Sequence, residues 1–352
     1  MSRLKAFLTY TDYELASYYS VAGLEQIKQH VDVAMNETGI VLQGKALADA
    51  AQGCQIILAH RSSHGLADTF DATPDLVAFL RAAVDYSTVD VPAASAHGIL
   101  VTHASAGFGT AVSEMAIAMI FDLARGVTRA RAAYESKQEP SLPKGLQVSS
   151  STIGIVGYGV IGRRLAELAA ALGMTVRIFD PYVAQSELGD RAATFTDVLQ
   201  LSDFVVCLAK ATPETQNLFN ASVFAQMKRG ASFLNLSRGE LVDEDALLNA
   251  LNHGHLRGAG LDVGRAADQK PSPRFIGRPD VVVMPHVGGM TAQAREHQTM
   301  DTVRQVIALA NGHIPQGALN LDSAHRLARI GIDPARTSSS TSADTSAQKA
   351  SS

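Results

Sequence analysis

The sequence predicts an α/β protein whose parallel sheets are covered on both faces by helices. Three observations predict it. Short, wholly apolar strand-like segments alternate with helical ones along the middle of the chain. Strands buried on both faces read this way, and such strands belong to parallel sheets. One of them runs straight into Gly157-Tyr158-Gly159-Val160-Ile161-Gly162 and then into a helical pattern. The length, 352 residues, suits two domains of ordinary size.

In chain order, the first third alternates least clearly, with strand-like runs at 6–8, 56–59 and 99–101. A long helix is expected over 111–133, and its apolar first half predicts packing between domains or subunits. Strand 152–156, helix 160–172 and strand 175–179 follow, then strands 204–208 and 231–236. The next helix has Asp243 as N-cap, an apolar stripe of Ala246, Leu247, Leu248 and Leu251, and Gly254 to close it. Two further strands are expected at 258–263 and 281–284. The end of the chain, 334–352, is almost wholly Ser, Thr, Ala and Asp beyond Thr337. It cannot bury enough apolar area to offset its ordering entropy, so a disordered tail is expected.

Composition narrows the function. Apolar residues are 46% and charged residues 18%, with a net charge of −4 and a pI near 6.3. These are the values of a soluble globular protein without the basic footprint of a nucleic-acid binder. No window of about 18 apolar residues exists and the N-terminus lacks a signal-peptide core, so no membrane partner and a cytoplasmic location are expected. Cys54 and Cys207 each sit in an apolar run and read as buried thiols of a reducing compartment. No Cys/His spacing suggests a metal.

The glycine motif carries the first chemistry. Gly157 permits a tight turn after the strand, Gly159 lets backbone approach a pyrophosphate, and Gly162 lets the helix pack on the strand. Val160 and Ile161 open the helix, whose free N–H groups favour phosphate. Asp180 ends the next strand, 23 positions after Gly157. A carboxylate there accepts hydrogen bonds from ribose hydroxyls and repels a 2′-phosphate, so NAD is the expected cofactor rather than NADP.

Later motifs are more specific. Asn235-Leu236-Ser237-Arg238-Gly239-Glu240-Leu241-Val242-Asp243 precedes Gly258-Ala259-Gly260-Leu261-Asp262-Val263, and then Pro285-His286-Val287-Gly288-Gly289-Met290-Thr291. With Thr212-Pro213-Glu214-Thr215, their order and spacing resemble the D-isomer-specific 2-hydroxyacid dehydrogenase family over about residues 95–320. The resemblance implies two Rossmann-like domains. An NAD-binding domain, 108–289, is inserted into a discontinuous, flavodoxin-like substrate domain, 1–107 with 290–333. It implies an NAD-dependent oxidoreductase acting on the CH–OH group of a D-2-hydroxy acid, or on its 2-keto partner, and commonly a homodimer. Thr212, Leu236, Ser237, Arg238, Asp262, His286 and Gly289 then join the cofactor site. Arg238 holds the substrate carboxylate and keto oxygen with its planar fork, and His286 is the acid/base.

The sequence departs from the family in places. The family has a glutamate five positions after the Asp of its Leu-Asp-Val motif, where this chain has Ala267; Asp268, one residue on, is a candidate replacement. NAD-dependent formate dehydrogenases of the same superfamily also lack that glutamate. The loop expected to bind the substrate carboxylate is Ala82-Ala83-Val84-Asp85-Tyr86-Ser87, with Val84 and Asp85 as contacts and Asp85 standing where a glycine is expected. Arg61-Ser62-Ser63-His64 resembles the family's Arg-Ser loop, which makes Arg61, Ser62 and His64 substrate-binding candidates. Ala104-Ser105-Ala106-Gly107-Phe108-Gly109 replaces an Asn-Pro-Gly loop. Two alternatives stay open: a dehydrogenase of an atypical substrate that needs no His–Glu relay, and an NAD-binding sensor or corepressor-like protein.

Overall fold

Consecutive parallel strands need a crossover, so nearly every helix of this chain is a return between two strands. The computed structural model describes residues 3–142 and 144–334. The tail expected from 334 onward therefore lies, past Pro334, outside the described residues. The chain divides into two compact units, one holding Met1–Gly107 and the return from Ala292 onward, the other Phe108–Thr291.

The first unit contains β1 (Lys5–Leu8), β2 (Asp32–Met35), β3 (Ile56–Ala59), β4 (Ala78–Arg81) and β5 (Leu100–His103). They pair in the order β2-β1-β3-β4-β5, parallel throughout. This is the flavodoxin-like order. Successive side chains point to opposite faces, and both faces are buried. Ala6, Leu8, Leu58 and Leu80 pack with Ile27, Val303 and Val306 on one side. Phe7, Ile57, Phe79 and Val101 pack with Leu47 and Phe70 on the other. Each such large side chain, fully buried, stabilises by roughly 1.5–3 kcal/mol. Strands β2 and β4 have no counterpart in the sequence reading. β2 is an edge strand of mixed polarity with no residue fully buried, and β4 is four residues long and ends in an arginine.

The second unit contains β6 (Thr152–Val156), β7 (Thr175–Phe179), β8 (Phe204–Cys207), β9 (Ser232–Asn235), β10 (Gly258–Leu261) and β11 (Val281–Val283). Their order is β11-β10-β9-β8-β6-β7, again parallel throughout. Ile153, Ile155, Phe204, Val206 and Leu234 bury against the helices Gly109–Arg125 and Val160–Ala171. Val156, Val205, Cys207, Phe233 and Leu261 bury against the opposite layer, which includes the helix Glu244–Asn252. That helix starts as its sequence reads, with Asp243 accepting from the N–H groups of Asp245 and Ala246.

The helix expected over 111–133 is two helices, Gly109–Arg125 and Val127–Glu135. Gly126, at φ +67, is the left-handed residue that ends the first. The apolar half also has a simpler partner than expected: Ala116, Met119, Ile120 and Ala124 lie in the core of their own unit. Among the described residues no helix is long and apolar enough to cross a membrane.

Candidate functional site

Ligands of open parallel sheets gather beyond the carboxyl ends of the strands, at the point where strand order reverses. In the second unit that point lies between β6 and β8. All the residues marked by sequence there follow strand ends: Gly157 after β6, Asp180 after β7, Thr212 after β8, Leu236–Arg238 after β9, Asp262 after β10 and His286 after β11. The candidates stand on turns while the strands between them fill the core.

The glycine turn is built for close approach. Gly157 sits at φ +104 with its Cα against the Leu208 carbonyl, where a Cβ would lie 2.6 Å from backbone. A Cβ on Gly162 would meet the Gly157 carbonyl at 2.2 Å, so the first turn of the helix rests on the strand end. A Cβ on Gly159 would meet nothing within 4 Å. That glycine therefore leaves backbone open rather than packed, beside the N-terminus of the twelve-residue helix Val160–Ala171. Val160 is exposed there, and Ile161 turns partly into the core. Asp180 closes the turn: Oδ2 accepts from the Tyr158 N–H at 2.7 Å and Oδ1 from the Tyr182 N–H at 2.9 Å. Tyr158 is itself buried beneath Arg163, whose guanidinium lies 4.6 Å from its ring centre. An open glycine, a free helix N-terminus and an acidic strand end suit the pyrophosphate and ribose of NAD.

The turn that carries Arg238 is fixed from beneath. Asn235, 1% exposed, accepts from the Ser237 N–H and donates to the Arg238 carbonyl. Ser237 donates its hydroxyl to the Ala209 carbonyl at 2.6 Å, and Leu236 is core. Gly239 lies so near the Gly264 carbonyl that a Cβ would meet it at 2.2 Å, which holds this turn against the one that follows β10. The Arg238 guanidinium is partly exposed and donates to the Ser237 carbonyl at 2.9 Å. Among the described residues it forms no ion pair. A cation kept clear of carboxylates is suited to an incoming anion. Thr212 folds its own loop by donating its N–H to the Thr215 hydroxyl.

Asp262 is 3% exposed and does structural rather than surface work. Its two oxygens accept the N–H groups of Val287 and Gly288, each at 2.9 Å. It thereby clamps the loop of His286 and Gly289; Gly289 lies against Phe108. His286 is half-buried, with a left-handed backbone at φ +60, and its Nδ1 lies 2.9 Å from the main-chain carbonyl of Asp268. The Asp268 carboxylate points elsewhere: its side chain is 72% exposed, and Oδ2 lies 3.4 Å from Lys270 Nζ. Asp268 thus meets the histidine through its backbone and not through the carboxylate that the sequence marks.

The substrate candidates belong to the first unit, where strand order reverses between β1 and β3. Arg61, Ser62 and His64 follow β3; Val84 and Asp85 follow β4. Arg61 is exposed and lies over the Tyr18 ring, 5.9 Å from its centre. Ser62 donates its hydroxyl to Glu14 at 2.5 Å, and His64 and Val84 are half-buried. Asp85 is exposed and accepts from the N–H and hydroxyl of Ser87.

Sequence reading misses the residue that joins these two loops. Arg81, 2% exposed, donates to the carbonyls of His60, Ser63 and Asp85 and to the Thr88 hydroxyl. Burial pulls its pKa down to about 10, with the Asp85 carboxylate opposing. His60 is also missed. Its Nδ1 lies 2.9 Å from Glu14, and burial pushes it below its usual range. Both had a signal: Arg81 ends the wholly buried strand β4, and His60 directly follows the wholly buried strand β3. Among the described residues, no cluster of three or more His, Cys, Asp or Glu could hold a metal ion.

Comparisons with known proteins agree with this geometry. Residues 117–288 match the NAD binding domain of the D-isomer specific 2-hydroxyacid dehydrogenases. The chain is 37% identical over 261 residues to the D-3-phosphoglycerate dehydrogenase of Mycobacterium leprae (strain TN), covering 73% of this chain and 49% of that one. It thus spans about half the length of the phosphoglycerate dehydrogenases it matches. It is 31% identical over 311 residues to the glyoxylate reductase of Thermococcus kodakarensis, covering 85% of this chain and 92% of that one. Among solved structures, the TT0316 protein of Thermus thermophilus superposes with a TM-score of 0.76 at 28% identity, over 90% of this chain and all of that one. Fold, strand-end motifs and relatives agree: the chain belongs to the D-isomer-specific 2-hydroxyacid dehydrogenase family.

Proposed function

We propose that the protein is an NAD-dependent dehydrogenase that transfers a hydride between a D-2-hydroxy acid and its 2-keto partner. The observation that carries the proposal is Arg238. This strand-end guanidinium is held by its own turn, free of carboxylates, in the unit whose residues match the NAD binding domain. Bound NAD supplies the hydride acceptor or donor; Gly157, Gly159, Gly162 and Asp180 hold it, with Val160, Ile161, Thr212, Leu236, Ser237 and Gly289 around them. Asp262 contributes by fixing the loop of His286 and Gly289.

Arg238 binds the substrate carboxylate and keto oxygen through paired N–H groups, a geometry that lysine cannot reproduce. His286 takes the hydroxyl proton during oxidation and returns it during reduction. In this reading Phe108–Thr291 is the NAD domain and the other unit is the substrate domain. Arg61, Ser62, His64, Val84 and Asp85 then meet the substrate. Asp85 directs the choice toward a substrate that offers a hydroxyl or amino group, since a second carboxylate would repel it. Partly exposed Phe121 and exposed Val127 and Tyr134 support a homodimer formed through the NAD domain. Two free, buried cysteines support a reducing compartment such as the cytoplasm.

The test is NADH oxidation with a panel of 2-keto acids. Turnover abolished by Arg238→Ala supports the proposal, and no turnover of any acid contradicts it. A second reading, NAD binding without turnover, is favoured by one observation: position 267 carries alanine and the neighbouring carboxylate faces Lys270.

A further inference from the structure

The loop after β10 holds backbone strain at two adjacent positions. Asp268 and Gln269 are consecutive left-handed residues at φ +58 and +56, and His286, whose ring meets the Asp268 carbonyl, is at φ +60. A non-glycine residue in that region is strained, and persists only where its surroundings determine it. Here they do. Gly264 donates to the Gln269 carbonyl at 2.8 Å and Ala266 to the Lys270 carbonyl at 3.0 Å, which folds the loop on itself. Glu244, 8% exposed, ties it to the body of the unit by accepting from the Arg265 N–H, the Ser272 hydroxyl and the Arg274 guanidinium. The bracing places the Asp268 carbonyl 2.9 Å from His286 Nδ1.

We propose that the strained 264–270 loop is a positioning device, in which the main-chain carbonyl of Asp268 fixes the tautomer and direction of the His286 ring. The proposal rests on the reading of His286 as the acid/base, and it goes beyond that reading by naming what aims the ring. A carbonyl can only accept. It therefore keeps the proton on Nδ1 in both the neutral and the charged ring, and leaves Nε2 as the atom that gains and loses a proton. During oxidation the substrate O–H bond breaks and an Nε2–H bond forms, and reduction reverses this. The side chain at 268 matters only through its tolerance of the left-handed region, which Asp and Asn share and β-branched residues lack.

The experiment uses 15N-histidine-labelled full chain with NAD, with the His286 signals assigned by their absence in His286→Gln. The parent is expected to show the Nδ1–H neutral tautomer at His286. Asp268→Val is expected to lose that signature and to lower kcat about tenfold, with KM within twofold. Asp268→Asn, which restores the left-handed preference without the charge, is expected to rescue both. An Nε2–H tautomer in the parent overturns the proposal, and so does Asp268→Asn behaving like Asp268→Val. The parent spectrum decides even if Asp268→Val does not fold. Because it needs no turnover, a failure of the dehydrogenase reading stays separate from a failure of this one.

Discussion

Replacing Asp262 by Asn tests the way the strand-end loops are held. The carboxylate is 3% exposed, and each oxygen accepts one backbone N–H at 2.9 Å. Asparagine keeps the shape and offers one oxygen. Its amide NH2 must then face either the Val287 or the Gly288 N–H, so one buried donor loses its acceptor and meets another donor. A hydrogen bond to a charged group contributes about 1.5–3 kcal/mol, and the orphaned donor costs about 1–3 kcal/mol. These terms overlap, so the net loss is about 2–3 kcal/mol. For a unit of about this size each kcal/mol is about 2–4 °C, which gives a fall in Tm of about 4–12 °C. Calorimetry of the full chain reads it, with far-ultraviolet circular dichroism to confirm that the fold is kept. The same variant loosens the loop of His286, so kcat falls as well. A Tm within 2 °C of the parent would refute the reasoning, since it would mean that the orphaned N–H finds another acceptor.

Three further outcomes are expected. Gly159→Ala leaves Tm unchanged, because its Cβ meets nothing within 4 Å, yet weakens NAD binding by at least about tenfold; Gly162→Ala does the reverse in kind, losing stability to the 2.2 Å clash with the Gly157 carbonyl. Equilibrium titration with NADH beside a melting curve separates the two. Asp180→Ala narrows the preference for NAD over NADP, read as a ratio of kcat/KM values; an unchanged ratio removes Asp180 from cofactor choice. The first unit loses stability as pH falls from about 6.5 toward about 4, because burial depresses His60 and the unfolded chain then binds more protons. His60→Gln flattens that limb in urea unfolding measured across pH, while a slope unaffected by the substitution would place the proton uptake elsewhere.

The NAD half of the fold is legible because its signals are local. Strands buried on both faces cannot hide their composition, and a glycine motif between strand and helix states its own geometry. The helix break at Gly126 is less legible, since a helix tolerates a glycine inside its apolar stripe at a modest cost. Strand β2 is invisible because an edge strand needs only one buried neighbour, and β4 because it is short and ends at Arg81. Site residues divide the same way. Arg238 and His286 stand in recognisable strand-end motifs, while the bonds of Arg81 reach His60 and Ser63, contacts that no short window contains. Asp268 is the instructive case. Sequence reading offers only side chains as partners for a histidine, and the partner here is a carbonyl placed by backbone strain.

In the proposed function Arg238 and His286 serve hydride transfer on a 2-hydroxy or 2-keto acid. The most direct measurement follows nicotinamide absorbance with NADH and a panel of 2-keto acids, in the parent, Arg238→Lys and His286→Gln. Turnover of at least one acid is expected, with a loss of about a hundredfold or more in kcat/KM in each variant. Tight NADH binding with no turnover of any acid, and no effect of either substitution, would contradict it.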